Sequence, residues 1–148
     1  MSHPETALFH NLLQQQPRLQ QAVEAIAAAR SWQDKYRLLM QAGKLLPPLP
    51  AMWQTEAARV RGCESAAWVY HLQSQQQHLF LADSDARIVK GLIALLLSQM
   101  NNATAARIAE FSAEAFFQQL GLAGQLSPSR TNGLYALVQA MKTLSDEN

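Results

Sequence analysis
The chain uses cysteine once in 148 residues, and the stretch around it reads R-V-R-G-C-E-S-A-A-W, residues 59 to 68. A lone cysteine has two readings. Cys63 is a small buried hydrophobe, since free cysteine is among the most buried residue types, or it is a thiol placed for use. Its neighbours lean toward the second reading. Gly62 permits backbone angles that other residues avoid, which suits a loop presenting a side chain. Glu64 and Ser65 are unusual flanks for a core position. If Arg59 to Gly62 forms a strand, Arg59, Arg61 and Cys63 share parity and point the same way. Two guanidinium groups near the sulfur favour the thiolate, the reactive form. An apolar pocket works against them, and the sequence leaves that balance open.

A thiol that hydrolyses needs a base beside it. His71 and His78 are the only histidines beyond the first ten residues. A cysteine-dependent hydrolase or acyl transferase pairing Cys63 with either one is therefore the alternative reading. Neither histidine has an evident orienting carboxylate, and an ordinary strand histidine explains both. One cysteine with scattered histidines has no metal-ligand spacing, and a C-x-x-C redox pair is excluded by count. A thiol that only accepts a group and hands it on needs no base of its own.

Asp83 and Asp85 form a second candidate pair. Asp83 reads as a helix cap. Asp85 falls in the first helical turn, where the helix dipole explains it, although an exposed carboxylate there is also free to meet a partner. Arg130 is odder. With Ser127 as N-cap and Pro128 at the first position it lies at the third, where a cation opposes the dipole by a few tenths to ~1 kcal/mol. An internal carboxylate or an acidic partner surface would offset that cost.

These residues need elements to position them. Residues 1 to 30 read as one or two short helices, with Pro17 at a first helical position and Leu19, Val23 and Ile26 on one face. Ser31 and Asp34 form an S-x-x-D box that opens a helix striped by Trp32, Tyr36, Leu39, Met40 and Gly43. L-L-P-P-L-P at 45 to 50 ends it and forces extended chain. Arg59 to Gly62 reads as a strand. Ala66 to Leu72 and His78 to Ala82 read as a hairpin around the loop Q-S-Q-Q-Q at 73 to 77. R-I-V-K-G-L-I-A-L-L-L-S-Q-M is apolar nearly all round and reads as the central buried helix. Short helices follow near 104 to 110 and 112 to 120. Ser127-Pro128 opens a last helix marked by Leu134, Leu137, Val138, Met141 and Leu144. The whole is α+β: helices packed on a small antiparallel sheet of about three strands, in a single domain spanning 1 to 148.

Composition narrows the function classes. The 12 basic and 11 acidic residues are dispersed, so neither nucleic-acid binding nor a polybasic membrane anchor has an electrostatic footprint. The longest apolar run, Gly91 to Leu97, is far short of the ~20 residues that span a bilayer. A single cysteine and an N-terminus without a basic n-region fit a cytoplasmic protein.

The stretch V-R-G-C-E-S-A-A-W, Val60 to Trp68, resembles the cysteine loop of the SufE family of sulfur acceptors. W-Q-D-K-Y at 32 to 36 with G-K-L-L-P at 43 to 47 resembles that family's N-terminal helix and its exit. D-S-D-A-R-I-V-K-G at 83 to 91 resembles the opening of its central helix, and L-S-P-S-R-T-N-G-L at 126 to 134 the start of its last helix. The G-C-E form and D-A-R-I-V-K-G look closer to the CsdE-like branch. Ala67 and Ala82 depart from the family pattern, and residues 1 to 30 lie outside the match as an N-terminal helical extension. The resemblance implies a SufE-like fold and a carrier of persulfide sulfur that stimulates a pyridoxal-phosphate cysteine desulfurase. Sulfur would pass onward to iron–sulfur cluster assembly or to another acceptor protein. It implies that Cys63 carries the sulfur, and that Asp85 and Arg130 dock the partner or hold the loop. Arg61, Glu64 and Trp68 fall in the same neighbourhood. The chain itself would need no cofactor and would not be an enzyme in its own right, the pyridoxal phosphate belonging to the partner.

Overall fold
The computed structural model describes residues 3–146. The N-terminal stretch forms two helices, α1 (Thr6–Leu13) and α2 (Gln16–Ala28), the second with Pro17 in its first turn. In α3 (Trp32–Gly43) the Ser31 hydroxyl accepts the Asp34 N–H at 3.1 Å, as the S-x-x-D box requires. The buried stripe differs from the expected one. Leu39, Ala42 and Gly43 face the core together with Lys35, while Tyr36 is exposed. Lys35 escapes an unpaired burial because its Nζ donates to the carbonyls of Ile26 (2.6 Å) and Leu120 (2.9 Å), both at helix C-terminal ends.

After a single 3-10 turn at Ala51–Trp53, the hairpin runs through β1 (Ala67–Ser74) and β2 (Gln77–Ser84). The strands are longer than expected and meet at a two-residue turn. Ser74 pairs with Gln77, and Gln75 takes a positive φ of 60° where a glycine would be usual. The sheet order is β1-β2-β3, antiparallel throughout, and β3 is the dipeptide Ala103–Thr104. The third strand is therefore not Arg59–Gly62. That segment makes one bridge, Arg59 to Trp68, and then turns away.

The central helix α4 (Arg87–Met100) follows β2. Ile93, Leu95, Leu96 and Leu97 are fully buried, each such side chain stabilising the fold by about 1.5–3 kcal/mol. It crosses α3 closely at glycines: a Cβ on Gly43 would fall 2.9 Å from the Gly91 backbone nitrogen. Three helices complete the chain: α5 (Ala105–Glu110), α6 (Ala113–Gln119) and α7 (Pro128–Leu144). Thr104, Ser112 and Ser127 cap them through their side-chain oxygens. Helix α7 buries Leu134, Leu137, Val138 and Met141, whereas Leu144 projects outward. No helix among the described residues is long and apolar enough to cross a membrane.

Candidate functional site
Cys63 sits in a loop of residues 61 to 66 that is clamped at its base. The Val60 N–H donates to the Ala67 carbonyl (2.8 Å), and the Val69 N–H to that of Ala58 (3.1 Å). The Ala66 carbonyl accepts from both the Asp85 N–H (3.1 Å) and the Ser84 hydroxyl (2.6 Å). At the tip Gly62 has φ 91°, a left-handed value that only glycine adopts freely. This turn breaks the extended chain, so Arg59, Arg61 and Cys63 do not share one direction as strand parity would have them.

Asp83 is not a helix cap. Buried at the end of β2, its carboxylate accepts the Leu49 N–H (2.9 Å) and the Ser84 N–H (2.8 Å), and it pairs with Lys90 at 3.4 Å. The buried charge is thus answered on three sides. It ties the 45–50 segment to the strand end that holds the cysteine loop. Helix α4 instead starts after Ala86, with the Ser84 hydroxyl accepting the Ala86 N–H at 3.2 Å. Asp85 therefore precedes the helix instead of falling in its first turn, and lies exposed beside the loop.

The thiol faces a cavity of about 180 Å³ between α4 and α7. Val89, Leu92, Leu134 and Leu137 supply apolar walls, and Ser65, Ser127, Ser129, Glu64 and Arg130 a polar rim. Gly133 leaves room for the sulfur: a Cβ there would lie 3.1 Å from Cys63 Sγ. Burial pushes the thiol above its ordinary range, outweighing the Ser65 N–H that donates to it and the positive charge of Arg59; Asp85 and Glu64 add to the upward push. The apolar pocket therefore prevails over the guanidinium effect at rest, and Arg61 has no comparable influence.

Arg130 is exposed on the rim and forms no ion pair with a described carboxylate, so no described residue offsets its place in the first turn of α7. Trp68 is buried behind the loop base and does not line the cavity. Neither histidine joins the thiol. His71 and His78 stack at the hairpin end, Nε2 to Nδ1 at 2.6 Å, and neither lines the cavity. Burial, then the neighbouring His78, lowers His71 to about 4. Among the described residues no group of three or more His, Cys, Asp or Glu side chains is arranged to hold a metal ion. The sequence did not single out Gly133, Ser129 or the Ser65 N–H. Only Gly133 left a trace, as a glycine inside an amphipathic helix, where it weakens the helix unless close packing requires it.

Fold and site together define a small α+β scaffold that holds one thiol over a cavity that no histidine lines. The chain belongs to the SufE family: the family model described as "SufE: Fe-S metabolism associated domain" matches residues 20–145. The sulfur acceptor protein CsdE of Escherichia coli (strain K12) is 42% identical over 116 residues, covering 78% of this chain and 79% of that protein. An uncharacterized SufE-like protein of Haemophilus influenzae is 35% identical over 123 residues, 82% of this chain and 98% of the relative. The solution structure of a hypothetical protein from Thermus thermophilus superposes with a TM-score of 0.67 at 22% identity, covering 86% of this chain and 92% of that one, and shares the fold.

Proposed function
We propose that the protein is a sulfur acceptor that takes persulfide sulfur from a pyridoxal-phosphate cysteine desulfurase onto Cys63. One observation carries the reading: the chain's only thiol is loop-borne, half-buried and faces a cavity that no histidine lines. A nucleophile with no histidine beside it suits transfer between sulfurs, where the attacking thiolate and the leaving thiolate are chemically alike. The family membership and the name of the Escherichia coli relative support the same reading.

In the transfer, the Cys63 thiolate attacks the outer sulfur of the partner's persulfide. A new S–S bond forms on Cys63, the partner's own S–S bond breaks, and its cysteine leaves as a thiolate, so the electrons balance without an added oxidant. The half-buried sulfur must swing outward for this attack. Docking drives that movement, and contact with partner charges lowers the thiol toward its reactive form. Arg130 and Asp85 meet the partner, while Trp68 supports the loop base and Glu64 and Arg61 flank the thiol. Between encounters the cavity shelters the outer sulfur from oxidation. The protein raises desulfurase turnover by removing product sulfur and passes it to a further acceptor in iron–sulfur assembly or another sulfur-using route. It is an accessory protein rather than an enzyme.

The test is desulfurase turnover, read as alanine released from cysteine. Wild type and His71→Phe should both stimulate it, and Cys63→Ser should not. Stimulation by Cys63→Ser equal to wild type would remove Cys63 from the role. Ester hydrolysis by the protein alone, lost in His71→Phe, would favour the hydrolase reading instead.

A further inference from the structure
A second concavity of about 450 Å³ adjoins the cysteine loop, between the 57–61 segment and the C-terminal half of α7. The α7 residues that line it are Ala136, Gln139, Ala140, Thr143 and Leu144. Their spacing of i, i+3, i+4, i+7 and i+8 is that of one helical face. This face is separate from the core face of Leu134, Leu137, Val138 and Met141. Helix α7 thus has a second face, of two alanines and a leucine with Gln139 and Thr143 beside them, that the described residues do not cover as they cover the core face. The floor of the groove is Val60 and Val69, both buried, while Leu144 is 43% exposed at its far end.

Charge sits on one side only. Arg59 and Arg61 line the groove and are exposed, neither makes an ion pair with a described residue, and no acidic residue lines it among the described residues. The stretch from Ala136 to Leu144 rises about 12 Å, roughly two helical turns. At its near end Ala136 would touch a Cβ on Gly62 at 3.4 Å, one residue before the thiol. An occupant is therefore led along α7 to the cysteine loop.

Resting on the sulfur-acceptor reading, we infer that this groove seats a short amphipathic helix of the cysteine desulfurase, apolar on the face that meets α7 and acidic on the flank that meets Arg59 and Arg61. The alanines of the groove let a helix backbone approach closely, and the two guanidinium groups supply bidentate partners for carboxylates. The groove is a docking surface that aligns the partner, distinct from the cavity that holds the sulfur. Arg59 links the two, because it is the one groove cation that acts on the Cys63 thiol.

The experiment measures affinity and chemistry separately on the full chain. The probe is a purified cysteine desulfurase. Binding is followed by calorimetry for wild type, the double variant R59E/R61E and Ala140→Trp, which fills the groove. Sulfur loading of Cys63 is then read at saturating partner by intact mass. R59E/R61E changes only exposed charges and controls for any misfolding of Ala140→Trp. The expected result is a Kd at least tenfold weaker for R59E/R61E and for Ala140→Trp, with the wild-type salt dependence much reduced in the charge variant. Loading at saturation should stay within twofold of wild type in Ala140→Trp, which leaves every charge near the thiol in place, and should fall in R59E/R61E, where Arg59 no longer favours the thiolate. Affinities within twofold of wild type in both variants, with the wild type loading normally, overturn the groove and leave the sulfur-acceptor reading standing. Failure of the wild type itself to bind or load overturns that reading and the groove with it. A wild type that self-associates through the groove, and becomes monomeric as Ala140→Trp, also overturns the assignment, since a second copy would then be the occupant.

Discussion
Replacing Gly133 with alanine tests where Cys63 rests. A methyl carbon at that position falls 3.1 Å from the sulfur and 3.7 Å from the Cα and Cβ of Cys63. The first distance is shorter than comfortable contact, so one side must yield by a few tenths of an ångström. Helix α7 is fixed by its core face, whereas the sulfur ends a short side chain on a loop with open cavity beside it. The loop should therefore move. Overpacking typically costs about 1–3 kcal/mol, and the low end applies where a neighbour can shift. Gly→Ala inside a helix returns about 1 kcal/mol. The two nearly cancel, and the melting midpoint should stay within about 4 °C of wild type. The thiol, in contrast, should change. Burial is the largest cause of its raised pKa, so a sulfur pushed outward falls back toward the ordinary thiol range. Alkylation by iodoacetamide at neutral pH should run severalfold faster, with its pH midpoint moved down. An unchanged alkylation profile combined with a stability loss of more than about 2 kcal/mol would refute the reasoning, because the sulfur would then not be the group that yields.

Other expectations follow from single contacts. Asp83→Ala should cost about 3–5 kcal/mol in denaturant unfolding, since it leaves the Leu49 N–H without its acceptor and Lys90 without its partner; a loss below about 1 kcal/mol would show that the clamp is idle. His71 is held to about 4 from 6.5 by burial and its neighbours, so the fold favours the neutral ring. Its contribution is complete above about pH 6.5 and is lost as pH falls toward 4, by about 1–2 kcal/mol once solvent contact is allowed for. His71→Phe should flatten that part of the stability–pH curve, and an unaltered curve would place the acid sensitivity elsewhere. Arg130→Ala should alter stability by no more than about 0.5 kcal/mol while slowing sulfur acceptance. A marked drop in melting temperature would mean instead that Arg130 serves the fold.

What the sequence could show followed the range of the forces involved. Helix starts at Ser31, Ser112 and Ser127 were legible because an N-cap is a contact over three residues. The buried α4 was legible from composition alone. Asp83 reads as a cap from its local sequence because its real partners, the Leu49 N–H and Lys90, meet it only after the 45–50 segment folds back. The strand at 59 to 62 was expected from its residue types, yet Gly62 turns the chain and the short β3 takes the place in the sheet. For the site, Gly-Cys-Glu announced a presented thiol, and Arg130 stood out as a cation at the wrong end of a helix. The balance between burial and the arginines was not legible. It depends on α7 meeting the loop at Gly133, across 70 residues of sequence (133 − 63).

The central claim concerns one sulfur atom. The most direct measurement is a single turnover: a desulfurase carrying a radiolabelled persulfide, freed of cysteine, is mixed with this protein, and both chains are digested under non-reducing conditions. The label should leave the desulfurase and appear on the Cys63 peptide, one sulfur per chain, and it should stay on the desulfurase when Cys63→Ser is used. Label that remains on the desulfurase with the wild type, or that leaves it equally well with Cys63→Ser, would contradict the account.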